Sequence, residues 1–141
     1  MDTTSTWLDI EAGDGRFQAY LASPRGGKGP GIVLLQEIFG VNQHIRSVAD
    51  QYAADGYVVL APDLFWRSGP RIELGYGDED RQQAIGLMQA CALATAQSDI
   101  ALTAGALRAL AGGRIAALGY CFGGRLAYLT AASGAVDAAI A

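Results

Sequence analysis

The sequence predicts an α/β fold: a mostly parallel sheet, with helices on both faces and an N-terminal hairpin. Two observations carry this. Three short runs, 32–35, 57–61 and 115–118, are continuously apolar, as strands buried on both faces are. Segments with helical spacing separate them, and alternating strands and helices imply a parallel sheet. The chain has 141 residues, enough for one domain core.

Each element has its own signal. Segments 6–11 and 16–22 read as two strands, joined by the hairpin turn Ala12-Gly13-Asp14-Gly15. A Gly/Pro/Lys loop at 24–31 leads into the first buried strand, 32–35. Segment 42–55 is helical, with Ile45, Val48, Ala49 and Tyr52 on one face, and Gly56 stops it. The strand at 57–61 ends at Pro62, and 65–78 is irregular. Helices are expected at 80–94 and 98–110, a strand at 114–118, a helix at 124–132 and a strand at 136–141.

Composition narrows the function. The chain is 51% hydrophobic and 17% charged, with a net charge of −4. That balance fits a core-forming protein and opposes a nucleic-acid binder, which would show a basic patch. Two cysteines, Cys91 and Cys121, make no disulfide framework and point to a reducing compartment. The first residues lack the basic and apolar regions of a signal peptide, and no apolar run approaches a membrane span. The expected location is the cytoplasm, with no membrane contact. A dinucleotide site would need Gly-x-Gly-x-x-Gly after a strand, and no strand end here supplies it.

The segment Gly119-Tyr120-Cys121-Phe122-Gly123-Gly124 carries the strongest chemical signal. It lies between a predicted strand and a predicted helix. Strand, Gly-x-Cys-x-Gly, helix is the pattern of a nucleophile elbow with cysteine in place of serine. The flanking glycines relieve collisions in so sharp a turn. A helix N-terminus beside the sulfur stabilises a thiolate or an oxyanion. Cys121 is therefore the candidate nucleophile, whereas Cys91, in an apolar helix, reads as core filler. Glu37 follows the buried strand at 32–35, where a carboxylate needs a partner.

Three strings resemble the dienelactone hydrolase family of the α/β-hydrolase superfamily. They are Gln36-Glu37-Ile38-Phe39-Gly40-Val41-Asn42, the stretch from Gly56 through Ala61-Pro62-Asp63-Leu64, and the elbow. The resemblance implies a hydrolase that cleaves an ester or lactone bond of a small carboxylate-bearing substrate through a cysteine thioester. It implies that Glu37 exchanges a proton with Cys121, and that the backbone N–H groups of Ile38 and Phe122 form the oxyanion hole. Arg81 would hold the substrate carboxylate, as a guanidinium can with two bonds. No cofactor or metal is implied. Ile85 and Met88 stand where the best-known members carry aromatic residues, so the expectation attaches to the broader family.

The family's acid and histidine follow its nucleophile. Here Asp137 is the sole acid after Cys121 and no histidine follows; the single histidine, His44, reads as a helix-start residue. Asp63 reads as structural. The chain is thus expected to match the N-terminal portion of one α/β-hydrolase domain. Strand 136–141 would then be covered by C-terminal polypeptide or by self-association. The alternative is a catalytically incomplete remnant that binds a small carboxylate or a partner chain.

Overall fold

The computed structural model describes residues 2–26 and 28–141. The chain opens with β1 (Thr3–Ala12) and β2 (Gly15–Pro24), an antiparallel hairpin with Ala12 opposite Gly15. β3 (Gly31–Leu35), α1 (Gln43–Ala54) and β4 (Val58–Pro62) follow. Next come α2 (Asp78–Ala90), α3 (Leu93–Leu110), β5 (Ile115–Gly119), α4 (Phe122–Ala132) and β6 (Ala138–Ile140). The sheet order is β1-β2-β4-β3-β5-β6. β4, β3, β5 and β6 run parallel, and β2 joins β4 antiparallel.

Every residue of β3 and β4 is buried, which is why both read as unbroken apolar runs. The two-residue period of the strand still sorts their side chains. Ile32 and Leu34 pack with Ile45, Ala49 and Ala53 of α1 on one face. Val33 and Leu35 pack with Ile100, Ala104 and Leu107 of α3 and Leu126 of α4 on the other. At about 25 cal/mol per Å² of apolar surface, these two layers supply the main driving force. A polar clamp adds register. Arg67 bonds Asp99 of α3 at 2.7 Å and Asp14 of the hairpin turn at 2.7 Å, and Trp66 Nε1 donates to Asp99 at 2.9 Å. Asp99 is buried, so losing Arg67 would leave an uncompensated charge inside.

The helix breaks differ from expectation in one place. The gap expected at 95–97 falls instead at Cys91-Ala92, and α3 starts at Leu93. Cys91 is extended (ψ 105), and its thiol donates to the Leu64 carbonyl at 3.7 Å. The alanine-rich stretch after it favours helix from its first residue. α2 is the weakest-held helix. It buries only Ala84, against a small cluster containing Phe39 and Leu74, and its first turn carries Asp78, Glu79 and Asp80. Those carboxylates complement the helix dipole.

β6 is shorter than the expected 136–141 and stands at the outer position of the described sheet, with Ile140 62% exposed. Asp137 lies just before the strand, and its backbone N–H donates to the Ile115 carbonyl of β5 at 2.9 Å. Its Oδ2 accepts from the Ile115 N–H at 2.9 Å and from Arg108 at 3.4 Å, and these hold its carboxyl below the usual range.

Candidate active site

β3 and β5 are neighbours in register, with Leu35 opposite Gly119. The connections that leave their C-terminal ends therefore start side by side, where open parallel sheets place their sites. The connection after β5 is one tight turn. Cys121 has φ 54 and ψ −115, a conformation rare for a residue with a side chain, and is the N-cap of α4. A Cβ on Gly119 would strike the Gly123 carbonyl. A Cβ on Gly123 would lie 2.5 Å from the Leu35 carbonyl oxygen and 2.6 Å from that of Gln36. Both elbow glycines are thus required by contact, one within the turn and one against β3. Cys121 is a free, exposed thiol. The Gly123 N–H is spent on the Tyr120 carbonyl at 2.9 Å, while the Phe122 N–H has no acceptor among the described residues. An unfilled N–H at a helix start is a ready anion donor.

The connection after β3 is longer and is held by side chains. Glu37 is half-buried and its Oε1 accepts from the Tyr76 hydroxyl at 2.9 Å. Tyr76 also receives Asn42 Nδ2 at 3.3 Å and packs edge-on against Phe39, 4.5 Å between centroids. Asn42 is buried and works twice more. Its Oδ1 caps α1 at the Ile45 N–H (3.1 Å) and its Nδ2 reaches the Leu74 carbonyl (3.1 Å). Gly40 has φ +85, and a Cβ there would strike the Ile72 carbonyl, so the 72–74 strand-like segment closes directly on the turn. Burial, with the Glu37 carboxylate beyond it, pushes the Tyr76 phenol up, against an opposing pull from Asn42. The Tyr120 phenol is raised by burial, then by Tyr52 and the same carboxylate.

Ile38 and Phe122, expected as backbone donors, sit at the starts of these two connections. The Ile38 N–H has no acceptor among the described residues either. Arg81 lies in the first turn of α2, exposed, with no hydrogen bond or ion pair from its side chain among the described residues. His44 is the second residue of α1, exposed, 6.5 Å between ring centroids from Tyr76. Asp63 is buried after β4, where its carboxylate accepts from the Phe65 N–H at 3.3 Å and the Arg71 N–H at 2.7 Å. Burial outweighs those bonds and raises its carboxyl from 3.8 to about 6. Cys91 is half-buried, and burial raises its thiol. An apolar cleft beside Phe122 is lined by Met88, Leu93, Leu126 and the stem of Arg125. Among the described residues, no group of three or more His, Cys, Asp or Glu could hold a metal ion. No helix there is long and apolar enough to cross a membrane.

The sequence alone singles out neither Tyr76 nor the particular work of Gln36. Gln36 is fully buried, a polar side chain directly continuing an apolar strand, and that continuity is the one signal that could have found it. Tyr76 is 39 residues from Glu37 and carries no local signal.

Residues 17–141 match the model of the dienelactone hydrolase family. The chain is 43% identical over 131 residues to a carboxymethylenebutenolidase of a Pseudomonas species, covering 90% of this chain and 55% of that protein. It is 37% identical over 129 residues to carboxymethylenebutenolidase 1 of Cupriavidus pinatubonensis, covering 89% and 55%. A crystal structure assigned as a dienelactone hydrolase from Klebsiella pneumoniae superposes with a TM-score of 0.83 at 28% identity, over 99% of this chain and 59% of that one. The chain thus spans about half the length of the curated relatives it matches.

Proposed function

The chain belongs to the dienelactone hydrolase family, and from that premise we propose that it carries the nucleophile and oxyanion site of a carboxylic ester hydrolase. The substrate class is a small carboxylate-bearing ester or lactone, the class to which the carboxymethylenebutenolidase names of its relatives refer. The observation that carries this reading is the strained backbone of Cys121 between two glycines that admit no Cβ.

In the proposed reaction Glu37 accepts the proton of the Cys121 thiol. The thiolate attacks the carbonyl carbon and forms the C–S bond, while the carbonyl electron pair moves to oxygen. The Ile38 and Phe122 N–H groups receive that oxyanion. Its collapse breaks the C–O bond, and the departing alkoxide takes up the proton that Glu37 accepted. The product is a thioester on Cys121, which water must later cleave. Arg81, exposed and without a partner among the described residues, binds the substrate carboxylate at the start of α2. Deacylation needs a general base. His44 stands on α1 beside Tyr76, so this chain is expected to acylate readily and turn over poorly.

A burst experiment tests this. An activated ester in excess over the chain should release one equivalent of alcohol per Cys121, then stall. Cys121→Ala should abolish the burst and Cys91→Ala should keep it. A full burst from the Cys121 variant would overturn the assignment.

A further inference from the structure

We propose that Gln36 is the positioning residue of the oxyanion site: by holding the Glu37 carbonyl, it aims the Ile38 N–H. The inference rests on the thioester reading above and adds the device that makes one of its two donors point the right way.

The Gln36 side chain is fully buried, and both ends of its amide are committed. Its Oε1 accepts from the Leu64 N–H at 2.9 Å, and its Nε2 donates to the Glu37 carbonyl at 3.1 Å. These partners fix the orientation of the amide, because a backbone N–H requires the oxygen and a backbone carbonyl requires the nitrogen. The side chain is therefore a strut from the end of β4 to the first peptide after β3.

The Glu37 carbonyl and the Ile38 N–H belong to one peptide unit. That unit is planar and trans, like the other peptide bonds among the described residues. In a trans unit the C=O and N–H point in opposite directions, so anchoring one aims the other. β3 lies between β4 and β5 in the sheet. Gln36 anchors the carbonyl from the β4 side, through Leu64. The N–H of Ile38 is then directed away from that side, and on the other side stands β5 with the elbow. The Gly40 N–H makes a longer contact with the same carbonyl, 3.4 Å, which closes the turn from below. Gly123 rests on the Leu35 and Gln36 carbonyls and sets the height of the Phe122 N–H against the same strand end. Two donors, neither spent on the protein, are thus referenced to one pair of residues.

Residue type matters here. Glutamate at this position would set oxygen against the Glu37 carbonyl when ionised, and asparagine is one methylene short. Methionine keeps the volume and loses both bonds, leaving the Leu64 N–H unpartnered and the Glu37 carbonyl with only the long Gly40 contact.

The test separates two reactions of the same sulfur. Iodoacetamide alkylates Cys121 at a saturated carbon and develops no oxyanion; an activated ester acylates it through one. In Gln36→Met, acylation should fall by roughly 10² while alkylation stays within about threefold, because a displaced donor affects only the oxyanion step. In Gln36→Glu the ratio of acylation to alkylation should be low at high pH and recover as pH falls, since a neutral carboxylic acid restores the same donor and acceptor. A parallel fall of both rates, or an unchanged ratio, would overturn the positioning role and leave the thioester reading intact. A wild-type Cys121 that is alkylated but never acylated would sink both.

Discussion

The connections after β5 and after β3 leave neighbouring strands at the same edge of the sheet, yet they are held by opposite means. The elbow is fixed by what is missing. Gly119 and Gly123 have no Cβ, so the backbone closes on itself and on β3. The Glu37 connection is fixed by what reaches in from afar. Gln36 bonds Leu64, Asn42 bonds Leu74 and Tyr76, and Tyr76 bonds Glu37. In the proposed reaction a nucleophile has to be presented without adjusting, which suits a rigid turn. An acid–base carboxylate has to be held yet exchange a proton, which suits a hydrogen bond from a half-exposed tyrosine.

The contrast predicts unequal fragility. Gly123→Ala should have the largest effect. Its Cβ meets two backbone carbonyls, which cannot rotate away, so the cost should reach or exceed about 3 kcal/mol. Urea unfolding should show that loss together with loss of Cys121 acylation. Near-wild-type stability would mean that the elbow tolerates displacement and is not rigid.

Asp63 supports the side-chain-held region and offers a pH handle. Its folded carboxyl is raised from 3.8 to about 6, so between those values the folded state keeps a proton that the unfolded chain has released. Its contribution to stability is present below the lower value and is lost as pH rises through the upper one. The difference approaches about 3 kcal/mol. The advantage of wild type over Asp63→Asn should therefore shrink by up to that amount between about pH 4 and pH 7. Urea midpoints at the two pH values measure it. A widening advantage would mean that the carboxylate, not the acid, is the form the fold prefers.

Tyr76→Phe should be the mildest. One half-exposed hydrogen bond is worth about 1 kcal/mol, so stability should barely change. Acylation of Cys121 should drop several-fold in wild type, about what 1 kcal/mol allows, and not at all in a Glu37→Gln background. Equal drops in both backgrounds would show that Tyr76 acts elsewhere than on Glu37.

The same contrast explains what the sequence could and could not reveal. The elbow is legible because its pattern is local: six consecutive residues between a strand and a helix carry it, although Gly123 is also required by the carbonyls of Leu35 and Gln36. The buried strands were legible too, since Ile32 to Leu35 and Val58 to Ala61 are apolar on both faces. Tyr76 was not, because its partner lies 39 residues away in an irregular segment. α3 starts at Leu93 and not at the expected 98, and the break before it falls at Cys91, whose thiol meets the Leu64 carbonyl 27 residues back. β6 is three residues long, Ala138–Ile140, and Asp137 just before it bonds Ile115 through both its backbone N–H and its carboxylate. Short-range sterics can be read along the chain; hydrogen bonds between distant segments cannot.

The central claim is that the turn after β5 presents a reactive sulfur. Timed alkylation of the native protein with iodoacetamide, read by peptide mass spectrometry at both cysteines, tests it most directly. Cys121 is exposed at a helix start, and Cys91 is half-buried with its thiol raised by burial. The account predicts that Cys121 is labelled ahead of Cys91 by roughly tenfold or more, with the difference vanishing in denaturant. Labelling of Cys91 first, or equal rates in the native protein, would contradict it.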